Sequence, residues 1–315
     1  MKDTKKGILS IVCLMVLLLL PGLSKAEEEK ARVIEEKVNI RLKQAYQIYQ
    51  PIAGPKSGLS LRLLGGINYL LAKDINDGVQ GWGDYWADSA TLSGYSVEGE
   101  AKPIRFGYDF QGDIIINFTP QFGIGFGGGY IQGSKTSEIS FANSTEGNST
   151  NKPKISAIPV RVGLFFNLPM NQTTNFVFNI GGGYYFAKYS YNWRAEENGD
   201  WMDLEQSATA RGFGFHGGIG FEFNLAPNMA FVLEGQGRYA KIGGFEGTID
   251  RSTSWGDPEK EEGKLYYGEV TDMGKKYPFV FIFEEIPSDP DISEAREAKV
   301  DFSGFTIVAG IIIRF

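Results

Sequence analysis

Along much of this chain, apolar and polar residues alternate with a period of two. Phe213, Phe215, Ile219, Phe221, Phe223 and Leu225 fall on one face, against Gly212, Gly214, His216, Gly218, Gly220, Glu222 and Asn224 on the other. Ile104, Phe106, Tyr108, Phe110, Ile114, Ile116 and Phe118 alternate in the same way with Arg105, Asp109, Gln111, Asp113 and Asn117. Side chains of a strand point to opposite faces in turn, so the pattern predicts strands. Eight are expected, at 58–74, 101–118, 122–140, 154–168, 175–195, 208–225, 229–249 and 299–315. Three connections are turn-like: Thr119 to Gln121, Pro169 to Thr174, and Ala226 to Asn228. The others, 75–100, 141–153, 196–207 and 250–298, are long.

Short turns at one end and long loops at the other describe a membrane barrel better than a sandwich. Three segments also run from a Phe to a Tyr eight residues on: Phe122 to Tyr130, Phe176 to Tyr184 and Phe231 to Tyr239. Leu61 to Tyr69 keeps the spacing with Leu in the first place. Each pair shares a face and spans roughly 20 Å of a tilted strand, most of the ~25 Å apolar band of an outer-membrane barrel. The expectation is an all-β, eight-stranded antiparallel transmembrane β-barrel over 58–315. Its long loops would be extracellular and both termini periplasmic.

The ends of the chain agree. Lys2, Lys5 and Lys6, the apolar run Ile8 to Leu20, Pro21-Gly22 and Ser24-Lys25-Ala26 predict a secretory signal peptide over 1–26. The apolar run is too short for a membrane helix. Residues 27–57 carry Ile34, Val38, Leu42, Ala45 and Tyr49 at helical spacing, then Pro51, Gly54 and Pro55. They predict a short amphipathic periplasmic helix and a linker. The last strand alternates from Phe305 through Ile307, Ala309, Ile311 and Ile313 to Phe315.

Glycine makes up 41 of 315 residues, about twice the usual ~7%. The single cysteine, Cys13, lies inside the leader, so neither a disulfide nor a Cys metal site is expected. Removing the leader takes away four Lys and one Asp, and the net charge of −7 becomes −10. Such a chain is poorly suited to nucleic acid.

The stretches FTPQFGIGFGGGY, NFVFNIGGGYYF and GFHGGIGFEFNLAPNMAFVLEGQGRY, with the terminal Phe315, resemble the small eight-stranded outer-membrane barrels: the OmpA-like, OmpW-like and opacity-type porin domains. The resemblance covers 58–315. It implies residence in outer-membrane lipid and lipopolysaccharide, and handling by the barrel assembly machinery through the strand ending at Phe315. It says little about function. The long last loop and the N-terminal extension depart from the minimal family form.

Simple hairpin registers place large polar side chains opposite glycines: Asp113 facing Gly127, Arg161 facing Gly181, Glu234 facing Gly220 and Gln236 facing Gly218. His216 faces Arg238. Arg62, Asp113, Arg161, Glu222, Glu234, Arg238 and Arg314 then form an inward charge network. Charges in a narrow interior are costly unless paired, so a paired plug is expected, with a rearranging gate as the functional alternative.

GIGFGGG at Gly123 to Gly129 and GFGFHG at Gly212 to Gly217 mimic a dinucleotide fingerprint, but neither lies between a strand and a helix. His216, the only histidine, lies in mid-strand away from the rim where a lipid would arrive, so no catalytic residue is assigned. Asp289 and Asp291 lack the pattern of a dedicated Ca²⁺ loop. No cofactor or metal is expected.

Trp82, Tyr85 and Trp86 in the first long loop, and Phe279, Phe281 and Phe283 in the last, are the candidate extracellular binding residues. The last loop also predicts a hairpin of 265–270 with 278–283 around TDMGKKY. The function these features favour is a non-enzymatic structural or surface-binding barrel with a mostly closed lumen. The alternatives are a small porin or carrier for small hydrophobic molecules and, less favoured, a lipid-modifying enzyme.

Overall fold

The computed structural model describes residues 58–143 and 146–315. The expected signal peptide (1–26) and the amphipathic segment and linker (27–57) lie outside the described residues.

Eight strands close a ring. They are β1 (Gly58–Leu70), β3 (Phe106–Thr119), β4 (Phe122–Ser134), β6 (Glu146–Pro169), β7 (Thr174–Glu197), β8 (Asp200–Ala226), β9 (Met229–Tyr239) and β16 (Gly304–Arg314). Each pairs antiparallel with its neighbour in that order, and β16 returns to β1 through Ser60↔Arg314 to Leu70↔Gly304. Closure leaves the ring without a free edge, the condition for backbone in lipid.

The turns are held by side chains. Thr119 Oγ1 accepts from the N–H of Gln121 and of Phe122. Asn171 Oδ1 accepts from the N–H of Thr173 and of Thr174. This second turn closes on Pro169↔Asn175, so Arg161 pairs with Gly183 rather than Gly181. The expected register was short by two because the asparagine lengthens the turn. Between β8 and β9 a bulge at Leu225 absorbs one residue, and His216↔Arg238 and Glu234↔Gly220 follow.

Outward residues are apolar over a band. On β6 it runs from Ile158 to Leu168, a rise of roughly 33 Å along the strand and about 25 Å along the barrel at a ~40° tilt. On β8 it starts at Phe213, 76% exposed, and ends at Leu225. The second strand begins later than expected. Ile104 is fully buried and Arg105 is exposed, because the chain enters β3 only at Phe106, after Pro103.

Beyond the band, three strands do not stop. β6 and β7 have 24 residues each and β8 has 27, so the segments expected as loops at 141–153 and 196–207 are largely strand. β5 (Ser137–Ala142) adds to β6, and β2 (Ser96–Gly99) to β5. On the other side β11 (Glu246–Thr253) adds to β8, followed by β12 (Gly256–Asp272), β13 (Lys275–Phe283) and β14 (Ile292–Glu297). The expected hairpin is β12–β13, turning at Met273-Gly274 with both residues at positive φ. A two-residue ladder of β10 (Lys241–Ile242) and β15 (Val300–Asp301) completes this head.

The first long connection is not a loop. Lys73–Leu92 forms a 20-residue helix, α1, seated in the head. Ile75 and Val79 bury against Leu70, Ile104 and Val280. Glycines let β13 come close: a Cβ at Gly81 would stand 2.6 Å from the Pro278 nitrogen, and one at Gly78 2.8 Å from that of Val280. Asn76 fastens the helix start by donating to the carbonyls of Leu71 and Ile104 and accepting from the Ile104 N–H. Most inward positions at this level are apolar or aromatic, Ile155, Tyr185, Tyr189 and Tyr191 among them, since they face the helix and not a lumen, while the polar Asn151 and Gln206 bond to Tyr191 and to β13.

Candidate functional site: a charged lumen beneath an aromatic cleft

Inward charges occupy the barrel in tiers. At the centre Asp113 lies between two arginines, 3.4 Å from Arg62 Nε and 3.0 Å from Arg161 Nη2. Arg62 also reaches Glu234 at 3.1 Å and lies over the Phe165 ring at 5.1 Å. Glu234 accepts from Asn179 and Gln236 at 2.6 and 2.7 Å. Gln236 and Gln111 exchange amide hydrogen bonds, and Gln111 donates to Asp109. Asp109 in turn holds Arg238 at 2.8 Å.

One connected chain thus runs from Arg161 to Arg238. Nearer the turns, Arg314 is paired with Glu222, which also accepts from Asn175 at 2.8 Å. All seven expected network residues are therefore inward and ion-paired, in two separate groups.

Desolvation makes isolated charges here very costly, and the reciprocal bonds offset that cost. Glycine makes room for the network. Asp113 pairs across from Gly127, Glu234 from Gly220 and Arg161 from Gly183. Val232, Ile115, Leu64, Val308 and Ile312 fill the space between the polar groups. A cavity of about 40 Å³ beside Arg62, Phe165 and Glu222 has the size of one or two waters. His216 sits in this interior, opposite Arg238, and its Nδ1 has no hydrogen-bond partner among the described residues.

The head holds a second arrangement. All five tryptophans of the chain lie in it. Trp82 meets Phe281 edge to face at 4.9 Å and stacks on Tyr85 at 5.6 Å. Tyr85 meets Tyr277 at 5.4 Å, and Trp86 stacks on Trp193 at 5.2 Å. Phe279 is buried, and Phe283 packs against both Phe279 and Phe281. The candidate binding aromatics of the first and last loops therefore mostly pack on one another. What they leave open is a cleft of about 480 Å³ between the C-terminal half of α1 and the β7–β8 tip. Trp86, Trp193, Trp201, Trp255, Tyr95 and Phe141 line it, with Glu196, Glu197 and Asp200 on one wall. Ser149, almost fully buried, also lines it, and its Oγ has no hydrogen-bond partner among the described residues.

Polar ties fix the cleft's helix. Asp88 accepts from Lys275 and Tyr277, each at 2.7 Å. Those two bonds hold its carboxyl below the usual range, while burial and the same bond push Tyr277 up to about 12. At the other end of α1, burial raises the Asp74 carboxyl, but its bonds from Arg296 and the Lys299 N–H outweigh that and leave it lowered.

A sequence profile for the outer membrane protein beta-barrel domain matches residues 78–256. The chain belongs to this family. Its place is therefore the outer membrane. Among solved structures the fold is similar to the outer membrane protein OprG from Pseudomonas aeruginosa, with 10% identity over 83% of this chain and 98% of that one, and a TM-score of 0.36. It is also similar to the outer membrane protease OmpT from Escherichia coli, with 7% identity over 84% and 99%, and a TM-score of 0.27. Superposition that loose carries no residue roles across. No curated protein sequence matches the chain.

Sequence reasoning missed two parts of this barrel's site. Asp109, the partner of Arg238, falls on the inward face in the alternation but outside the expected network, four residues nearer the loop end than Asp113. Trp193, Trp201 and Trp255 belong to the cleft, yet they are scattered over two strands and a turn. Only the register of β7 with β8, which sets Glu196 across from Trp201, brings two of the three together.

Proposed function

We propose that this protein is a non-enzymatic, surface-binding outer-membrane barrel. Its lumen is closed, and the aromatic cleft of its head takes up small organic molecules from outside. The observation that carries the reading is the continuous chain of paired groups from Arg161 to Arg238, which leaves so little free space. An eight-stranded interior is barely wide enough for its own side chains. Above it, α1 and its packed aromatics cover the mouth.

The walls of the cleft favour an organic cation with an apolar body. Ring faces attract cations, and desolvation strengthens that attraction. Arg194 already uses one such face, lying over Trp201 at 5.1 Å. Among the described residues the lining has three carboxylates and no lysine or arginine. The C-terminal end of α1, with no basic residue in its last turn, adds partial negative charge.

Two measurements test the two halves of this function. Purified protein in planar bilayers should show no steady single-channel current, and a large stable conductance would favour the pore reading instead. Tryptophan fluorescence, which reports only on the head, should be quenched saturably by benzyltrimethylammonium and far less by benzyl alcohol or benzenesulfonate. Replacing Trp255, 64% exposed, by Ala should weaken that binding between about twofold and tenfold without unfolding the protein. Equal binding of the sulfonate would refute the choice of a cation.

A further inference from the structure

The outward face changes character at one level on three adjacent strands. On β6 the apolar run ends at Ile158 and is followed outward by Ser156, Lys154 and Lys152. On β7 it ends at Phe186 and is followed by Lys188, and on β8 it ends at Phe213 and is followed by Arg211. The registers match: Lys188 pairs with Ser156, Lys154 with Ser190, and Arg211 with Phe186. Lys188 is thus the diagonal neighbour of both Lys154 and Arg211, each about 7–8 Å away at the backbone, with hydroxyls beside them, and the three form a row with Lys188 in the middle. Side chains of that length can reach adjacent anionic groups of one headgroup. The Arg211 guanidinium lies 5.4 Å from the Phe186 ring centre, above the apolar face. All three are exposed, and none makes an ion pair among the described residues.

A merely solvated boundary would look alike at both rims. The turn rim has no counterpart: Thr119 to Gln121, Met170 to Thr173, Pro227 and Asn228 hold no charge. On the basic face the nearest outward acids are Glu246 on β11, which lies diagonal to Arg211 and pairs across from Lys264, and Glu205 on β8, which lies farther from the band. A row of three cations in an acidic chain, set where apolar surface meets water, matches an amphiphile with a multiply anionic head.

We infer that Lys154, Lys188 and Arg211 form a docking site for the phosphorylated headgroup of an anionic lipid in the leaflet at the loop end. The acyl chains lie along Ile158, Phe186 and Phe213. Three cations in a row suit a headgroup carrying more than one negative charge better than a single phosphodiester.

Native mass spectrometry of the detergent-solubilised full chain tests this, with bisphosphorylated lipid A as the probe. Adducts should persist in the unaltered protein. They should fall about tenfold in the triple variant Lys154→Gln, Lys188→Gln, Arg211→Gln, an exposed set whose folding is checked by heat-modifiable gel mobility. Lys102→Gln with Lys260→Gln, which removes cations elsewhere on the head, should leave the adducts unchanged. Dephosphorylated lipid A and phosphatidylglycerol should bind more weakly, and inorganic phosphate should not compete. Equal retention of the dephosphorylated lipid, or a triple variant that binds as well as the parent, would overturn the site. Soluble polyphosphate bound as tightly as lipid A would overturn the choice of a lipid.

Discussion

Asp74, in the first turn of α1, accepts from Arg296 at 2.6 and 2.9 Å and from the Lys299 N–H at 2.9 Å. The carboxylate therefore ties the helix to the segment leading into β15, with a two-pronged geometry that Lys would not reproduce. Asp74→Asn should cost about 2 kcal/mol, since it leaves Arg296 with a neutral partner. The dependence on pH follows from the lowered carboxyl. A group whose pKa is depressed by folding stabilises the fold above its unfolded value, and that contribution is lost as pH falls through the folded value. The difference between parent and Asp74→Asn should thus be full at neutral pH and shrink only below the ordinary carboxylate value of 3.8. Thermal melts followed by the near-ultraviolet circular dichroism of the head's tryptophans would show it. A difference that vanished already at pH 6 would mean the staple has another origin.

At the scale of elements, the strands were legible and the helix was not. Period-two alternation is strong where one face meets lipid and the other a packed interior, so the 208–225 part of β8 and the body of β16 are legible in it, as is nearly all of β7. Ile75, Val79, Trp82 and Trp86 do recur at helical spacing. But Gly78, Gly81 and Gly83 lie among them, and glycine weakens any helix taken alone. Their reason is tertiary: they admit the backbone of β13, which a local reading does not contain. The upper halves of β6 and β8 read as loops for a related cause. Above the band the outward residues turn polar, while inward ones such as Tyr189, Tyr191 and Trp193 pack against a helix that had not been foreseen. The charged network was the most legible part of the site, because inward charges need opposite charges at matching depth and the short turns fix the register to within a residue or two.

At the scale of the whole molecule, the two ends differ in everything that bears on which side they face. One end carries three short uncharged turns, the C-terminal strand and the Arg314–Glu222 pair. The other carries a folded head with the cleft, the basic patch and the acidic β12 segment. A head of that size must cross the bilayer once, and in a barrel of this class the long connections are the ones that end outside. The only cysteine of the full sequence lies at position 13, in the expected leader, so a single introduced thiol reports without background from residues 27–315. Asp272, exposed beside the β12–β13 turn, and Asn228, in the β8–β9 turn, mark the two ends. A bulky, membrane-impermeant maleimide added to intact cells should label Asp272→Cys readily. It should reach Asn228→Cys only after the outer membrane is opened. Asp272 makes only a local bond, to the Met273 N–H, and the Asn228 carbonyl that accepts from Arg314 is backbone, so neither change removes a tertiary side-chain contact. Labelling of Asn228→Cys but not Asp272→Cys on intact cells would invert the barrel. It would also move the cleft to the periplasmic side and remove the argument for a ligand taken from outside.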